Sequence, residues 1–353
     1  MSATRGAHRN SFDLLRLILA SFVIITHSYA ILGLPDHDLL YVLSNGQTKF
    51  SVFAVDCFFA ISGYLVTISL YNSPGVLPYL AKRVLRIVPG FWVAVLLSVV
   101  LLAYLTSEAP LATIFSGDSI RHLVNTLAFR IHYTISGILS GKTINGSLWT
   151  IPYEAFMYVM IVPLWWLNRT SVRSSIIGGV LLIFLTLHFF ARDTFITRSL
   201  PVIWLNLAEI FRLGSLYMVG ALMATHKGFV FAERSTAVLL ALGLLAISFI
   251  WPIYYYTVFV CIPFFIIHLG LMHDSLASRL TSNGDYSYGV YLWGFPVQQA
   301  IVYLTGLRDP IYLTLVAIPV AYVFGLASWH SVEYPFLRLK HLLQPQAHQT
   351  NSR

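Results

Sequence analysis

The most chemically promising residues of this 353-residue chain are ionisable side chains set inside apolar runs. Residues 13–33 read DLLRLILASFVIITHSYAILG, long enough for a helix to cross a bilayer core of about 30 Å. The run carries Arg16 near its start and His27 deep inside. At 1.5 Å per residue the two share one helical face about 16 Å apart. Ionisable groups are expensive in lipid, and a spanning helix keeps them when they face a functional interior. Asp56, Glu154, Glu209 and Arg212 stand at depths similar to that of His27 in three other runs. Together these predict a polar cavity between helices, roughly 5–10 Å below one membrane surface. A neutral imidazole oriented by a carboxylate is the usual general base for a hydroxyl nucleophile. Either Asp56 or Glu154 lies at the right depth to orient His27, whereas Glu209 and Arg212, three residues apart, equally satisfy an intrahelical ion pair.

Near the opposite surface, Lys82-Arg83-Val84-Leu85-Arg86 falls between the second and third runs and is followed by Pro89. Arg83 and Arg86 share a helical face and suit bidentate recognition of phosphate. The general bias of basic residues toward cytoplasmic loops accounts for them equally well. A phosphate grip on one side and a base on the other suit one reagent from each side. Acyl-CoA fits the inner side, its phosphates on arginines and its pantetheine arm reaching inward, with a hydroxyl acceptor approaching His27 from outside. On spacing alone this stands beside a rival, a transporter or flippase with a buried polar path.

The elements that must position these groups are helices in a bilayer. The chain is 57% hydrophobic and only 10% charged, against about 25% charged in a soluble domain. That composition excludes a soluble enzyme with a single anchor and predicts an all-α, polytopic integral membrane protein. Ten spans are expected, at 13–33, 51–71, 88–106, 149–168, 174–191, 206–225, 236–251, 253–272, 285–305 and 311–330. Residues 1–340 form one transmembrane domain and 341–353 a polar tail. The net charge of +8 reflects loop residues on one face and not a nucleic-acid partner. With the N-terminus inside, the cytoplasmic segments hold Arg5, Arg9, Lys82, Arg83, Arg86, Arg169, Arg173, Lys227, Arg234, Arg279, Arg338 and Lys340, and an even count of spans returns the C-terminus to the cytoplasm. A cleavable signal ending near Ala30 is disfavoured, because the run exceeds a usual signal core. Cys57 and Cys261 sit inside apolar runs and form neither a disulfide framework nor a CxxC site, and no His, Asp or Glu spacing suits a metal. In the long outer loop, 107–148, Ile120, Leu123, Val124, Leu127, Ala128 and Ile131 recur at helical spacing, opposite Arg121, His122 and Asn125. This predicts an amphipathic helix on the outer membrane surface or over a cavity mouth. No internal repeat is evident, which weighs against a transporter.

Several ordered motifs resemble the bacterial family-3 membrane acyltransferases, which O-acylate sugars and polysaccharides. Asp13-Leu14-Leu15-Arg16 followed by His27 resembles the family's first-helix motif, and the stretch from Asp56 to Leu65, DCFFAISGYL, resembles its second-helix signature. Arg83-Val84-Leu85-Arg86 resembles the family's paired arginines, and Ser147 to Glu154, SLWTIPYE, its segment ending in a membrane glutamate. Ser287 to Leu292 and Val332 to Phe336 fit as well. The resemblance covers nearly the whole chain. It implies an O-acyltransferase of the bacterial inner membrane, expected to move acetyl from cytoplasmic acetyl-CoA to a cell-envelope or exported glycan, free or lipid-linked. On that reading His27 is the general base, Asp56 or Glu154 orients it, Arg16, Arg83 and Arg86 hold the donor, and Glu209 with Arg212 shapes the acceptor side. No metal is expected. Many relatives have a histidine after the Tyr-Leu of the ninth span, whereas here Trp293 is followed by Gly294-Phe295-Pro296, which places more weight on His27. The hydrolase-like domain that some relatives append is not expected here, so any second transfer step falls to a separate protein.

Overall fold

A computed structural model of the chain describes residues 11–167, 170–200, 204–226, 228, 230, 233–272 and 284–340. Expectations for Arg5, Arg9, Arg169, Lys227, Arg279 and the tail 341–353 lie outside the described residues. Among the described residues there is no β-strand, and the two β-bridges, Thr134 to Thr143 and Ser199 to Asn206, are isolated. The principal helices are α1 (Phe12–Ile31), α2 (Phe50–Tyr71), α3 (Val76–Thr106), α4 (Gly117–Leu127), α5 (Ile151–Met160) and α6 (Thr170–Phe190). They continue with α7 (Leu207–Thr225), α8 (Arg234–Ile250), α9 (Tyr254–Leu271), α10 (Ser287–Thr305) and α11 (Pro310–Ser328).

Each of the ten expected runs contains helix among the described residues, and eight helical segments are long and apolar enough to cross a membrane. These are α1, α2, α3, Leu148–Trp166 around α5, α6, α7, α9, and Pro310–Arg338 continuing from α11. The helix α8 is apolar but has only 17 residues, and α10 is not among the eight. The reason in α10 is its polar content. Gln298 donates to Ile24 O and Ser28 Oγ, and Gln299 to Thr143 O, so these amide donors find protein partners and the helix needs no uniformly apolar surface.

The sequence places Arg83 and Arg86 in a loop ahead of a third span at 88–106, and the structure corrects this. The helix α3 starts at Val76 and runs 31 residues straight through Pro89, so both arginines project from a helix. A proline forfeits one backbone hydrogen bond, a loss that packed membrane helices tolerate. The amphipathic helix expected in the outer loop is present as α4. In α4 the inward face is polar, with Ser119, His122 and Thr126 buried, while Ile120 and Val124 are exposed. The apolar stripe is split, with Ile120 and Val124 facing outward and Leu123, Leu127 and Ile131 packed against the core. Burial, with His132 beside it, pushes His122 down to about 4 and keeps it neutral at pH 7. The cover over the adjacent cleft comes instead from residues 133–146, where Ile144 N donates to Tyr133 O at 2.8 Å and Ser136 N to Asp118 at 2.6 Å.

The bundle is closed most tightly where α2 meets α7. A Cβ on Gly63 would overlap the Tyr217 carbonyl, and one on Gly220 would overlap that of Ala60. Small residues of this kind let two membrane helices bring their backbones together. Gly63→Ala is expected to cost about 1–3 kcal/mol through overpacking. It should lower the unfolding temperature of the detergent-solubilised protein by several degrees. Because Cys57 and Cys261 are both free and buried, a thiol-reactive dye reports that unfolding directly.

Candidate active site

The start of α1 is fixed by local polar contacts. Ser11 N donates to Gly270 O and Ser11 Oγ to Met272 O, both at 2.9 Å, which ties α1 to the end of α9. One turn later Arg16 reaches Asp13 at 2.7 Å and Asp285 at 2.8 Å. Arg86 approaches the same Asp285 oxygen at 2.5 Å and stands 3.5 Å from Glu333. Glu333 is buried and accepts from Ser328 Oγ at 2.9 Å. Asp285 also accepts from the Ser287 amide and hydroxyl, so one carboxylate, seated just before α10, knits α1, α3 and α10 together. Arg83 is held differently. It donates to Ser69 Oγ at 2.8 Å and lies over the Tyr79 and Tyr158 rings, with no ion pair to a described carboxylate.

These arginines border a cavity of about 230 Å³ whose lining includes Arg16, Arg83, Arg86, Ser62, Glu154 and Tyr288. Glu154 accepts from the Tyr158 hydroxyl and from Ser62 Oγ, the latter at 3.5 Å. The structure therefore groups Glu154 with the three arginines and not with His27. Asp56 goes elsewhere too. Its carboxylate pairs with Arg212, whose Nε also donates to Glu209 at 2.9 Å. The intrahelical pair Glu209–Arg212 is thus real and extends across to α2.

His27 lies near the far end of α1. The expectation that Asp56 or Glu154 orients it is not met in the contacts it makes. Its Nδ1 stands 3.4 Å from Ser147 Oγ, and its ring packs edge-on against Phe295 at 5.0 Å between centroids. Residues Asn145-Gly146-Ser147 carry this hydroxyl on a turn clamped from two sides. Asn145 Nδ2 donates to Leu292 O at 2.9 Å, and its Oδ1 accepts from Ser147 N at 3.0 Å. Gly146 packs against the Phe295 ring, where any Cβ would collide. His27 borders a second, open cleft of about 830 Å³, lined also by Tyr133, Lys142, Phe295, Gln299 and Arg308.

Ser147 lies between the two spaces. Its hydroxyl touches His27 of the open cleft, and its carbonyl accepts at 2.7 Å from Tyr291, which lines the arginine cavity and pairs with Thr150 at 2.6 Å. Sequence reasoning assigned no role to Ser147, Asp285 or Glu333. Asp285 was recognisable only as a lone acid, after Gly284, at the head of an apolar run; its partner Arg16 is 269 positions away. Among the described residues no group of His, Cys, Asp and Glu could hold a metal ion.

Comparison with known proteins adds an independent line. A family model described as an acyltransferase domain matches residues 9–330. An O-acetyl transferase of Shigella phage Sf6 is 29% identical over 342 residues, covering 93% of this chain and 96% of the relative. Nodulation protein 10 of Rhizobium leguminosarum bv. viciae is 26% identical over 373 residues, covering 95% of each. No solved structure matches the chain significantly.

Proposed function

The chain belongs to the family-3 membrane acyltransferases, and from that premise we propose that it carries acetyl from cytoplasmic acyl-CoA to a hydroxyl of an envelope or exported glycan. The transporter alternative gives way to this membership. The observation that carries the reading is the pair of spaces at opposite ends of α1, one bordered by three arginines and the other by His27, with Ser147 between. Both termini are assigned to the cytoplasm, so the arginine cavity opens inward and the His27 cleft outward, in the inner membrane of a bacterium.

In this mechanism the donor's phosphates lie at the arginine end and its slim arm enters the cavity. With Nδ1 protonated and donating to Ser147 Oγ, His27 keeps Nε2 as a free base. Nε2 takes the proton of the acceptor hydroxyl as that oxygen attacks the thioester carbonyl. The C–S bond breaks, the ester forms, and the departing thiolate takes the proton from Nε2, which restores the free base. Glu154 shapes the passage for the thioester. Asp56 and Glu209, both paired with Arg212, form an ionic group that shapes the acceptor side.

The donor assignment is tested at Arg83, because Arg16 and Arg86 share Asp285 whereas Arg83 pairs with no described carboxylate. Arg83→Ala is expected to raise the KM for acetyl-CoA about tenfold or more, with kcat at saturation and folded yield little changed. Arg83→Lys should restore only part of the loss, since an ammonium lacks the planar fork. An unchanged KM in Arg83→Ala would count against a phosphate grip there.

A further inference from the structure

The open cleft beside His27 has a definite charge. Lys142 and Arg308 both line it and both are exposed, and neither makes an ion pair with a described carboxylate. No Asp or Glu is among the residues that line it. The nearby acids are engaged elsewhere. Asp309, adjacent to Arg308, caps α11 by accepting from Ile311 N at 2.8 Å and Tyr312 N at 3.0 Å. Asp36 pairs with Lys49 at 2.6 Å, and Asp38 accepts from Thr26 Oγ1 at 2.6 Å and caps the short helix Leu39–Leu43. Lys142 is not on a loose tip. It follows Gly141 in the segment pinned by the Thr134–Thr143 bridge, with Thr143 O receiving Gln299 Nε2 at 2.9 Å from α10. Arg308 sits between Gly306, in the left-handed region, and the capping Asp309.

Two cations on two different connections therefore face one cleft that ends at His27. Charge of one sign lining a concave site raises the local concentration of the opposite sign. We propose that the acceptor entering this cleft is anionic, a glycan that presents a carboxylate or phosphate to Lys142 and Arg308 while its hydroxyl lies at His27. This rests on the acyltransferase reading and adds the chemical class of the acceptor. Arg308, with its planar fork, suits a bidentate carboxylate or phosphate, and Lys142 adds a point charge. The anion has two natural sources, an acidic sugar residue or the phosphate of a polyprenyl carrier at the membrane surface.

The test measures binding without acyl donor, so that it stands apart from catalysis. The full chain is placed in nanodiscs of zwitterionic lipid and titrated with fluorescent tri-galacturonate, with neutral maltotriose carrying the same dye, and with undecaprenyl phosphate. One anionic probe should bind at least tenfold tighter than the neutral one and weaken steeply with salt. Tri-galacturonate as the tight probe identifies an acidic sugar, and undecaprenyl phosphate identifies a carrier phosphate. Lys142→Gln with Arg308→Gln should erase that preference and leave maltotriose binding unchanged. Both positions are exposed, so the variant is expected to fold, which dye-reported unfolding checks. Equal binding of neutral and anionic probes would overturn the proposal. So would an unaltered preference in the double variant, or a charge effect that emerges only with anionic lipid in the disc, which would mark Lys142 and Arg308 as headgroup contacts. Loss of donor use in Arg83→Ala leaves this outcome untouched, so the two readings fail separately.

Discussion

His27→Gln is expected to lower acyl transfer by about 10²–10⁴-fold, the usual contribution of a positioned general base. Glutamine keeps much of the size of the imidazole and an amide able to hydrogen-bond Ser147 Oγ, the present partner of Nδ1. It cannot accept a proton at neutral pH. The substitution thus separates proton transfer from packing against Phe295 and Ser147. Acetyl-CoA binding should persist, because the arginines lie in a different cavity from His27. The measurement is transfer to the native glycan, followed by mass, alongside donor binding to the same preparation. Near wild-type acylation by a well-expressed His27→Gln protein would refute a base at this position.

Asp285→Asn is expected to give the largest loss of stability among substitutions at the polar sites. One carboxylate bridges Arg16 and Arg86 and is itself anchored by Ser287. Asparagine retains the shape and removes the charge, leaving two guanidiniums at the end of the bundle with less compensation. Removing one partner of a buried pair typically costs about 3–5 kcal/mol. The lower end applies here, since Arg16 retains Asp13 and Arg86 retains Glu333. A fall in unfolding temperature larger than that of Gly63→Ala, partly reversed in Asp285→Glu, is the expected pattern. A stability equal to wild type would show that the bridge contributes nothing net.

What could be read from the chain follows from what was local. The runs themselves, the shared face of Arg16 and His27 and the Glu209–Arg212 pair each depend on one helix and its period. Partner choice across helices is a different matter. Run position alone predicts similar depths for Asp56, Glu154 and His27, but it fixes neither the packing depth nor the azimuth, and packing gives Asp56 to Arg212 and Glu154 to Tyr158 in the arginine cavity. Pro89 was a natural place to start a helix, but packing around α3 outweighs one missing hydrogen bond. The amphipathic period of α4 was legible, but not which of its apolar residues meet protein: Leu123 and Leu127 pack on the core while Ile120 and Val124 stay exposed. A helix beside a bilayer can leave part of its apolar stripe facing outward and bury a neutral histidine among protein groups. Ser147 had no periodic signal at all, since a turn residue earns its contacts only after α1 and α10 have assembled around it.

The wall at Ser147 also matters to the electrical state of the membrane. A protein bordered by polar spaces on both sides of one residue has a short dielectric barrier at that point, and an energised bilayer drops its potential across whatever barrier remains. Rings surround this residue: Phe295 against His27, Tyr291 on the carbonyl of Ser147, and Phe58 edge-on to Tyr291 at 5.9 Å. The Phe58 and Phe295 rings carry no donor or acceptor, so polar contact across the wall is confined to Ser147, between His27 and Tyr291. The aromatic collar thus works as an insulator, and cells carrying Phe58→Ala or Phe295→Ala are expected to leak protons in proportion to how far that collar is opened.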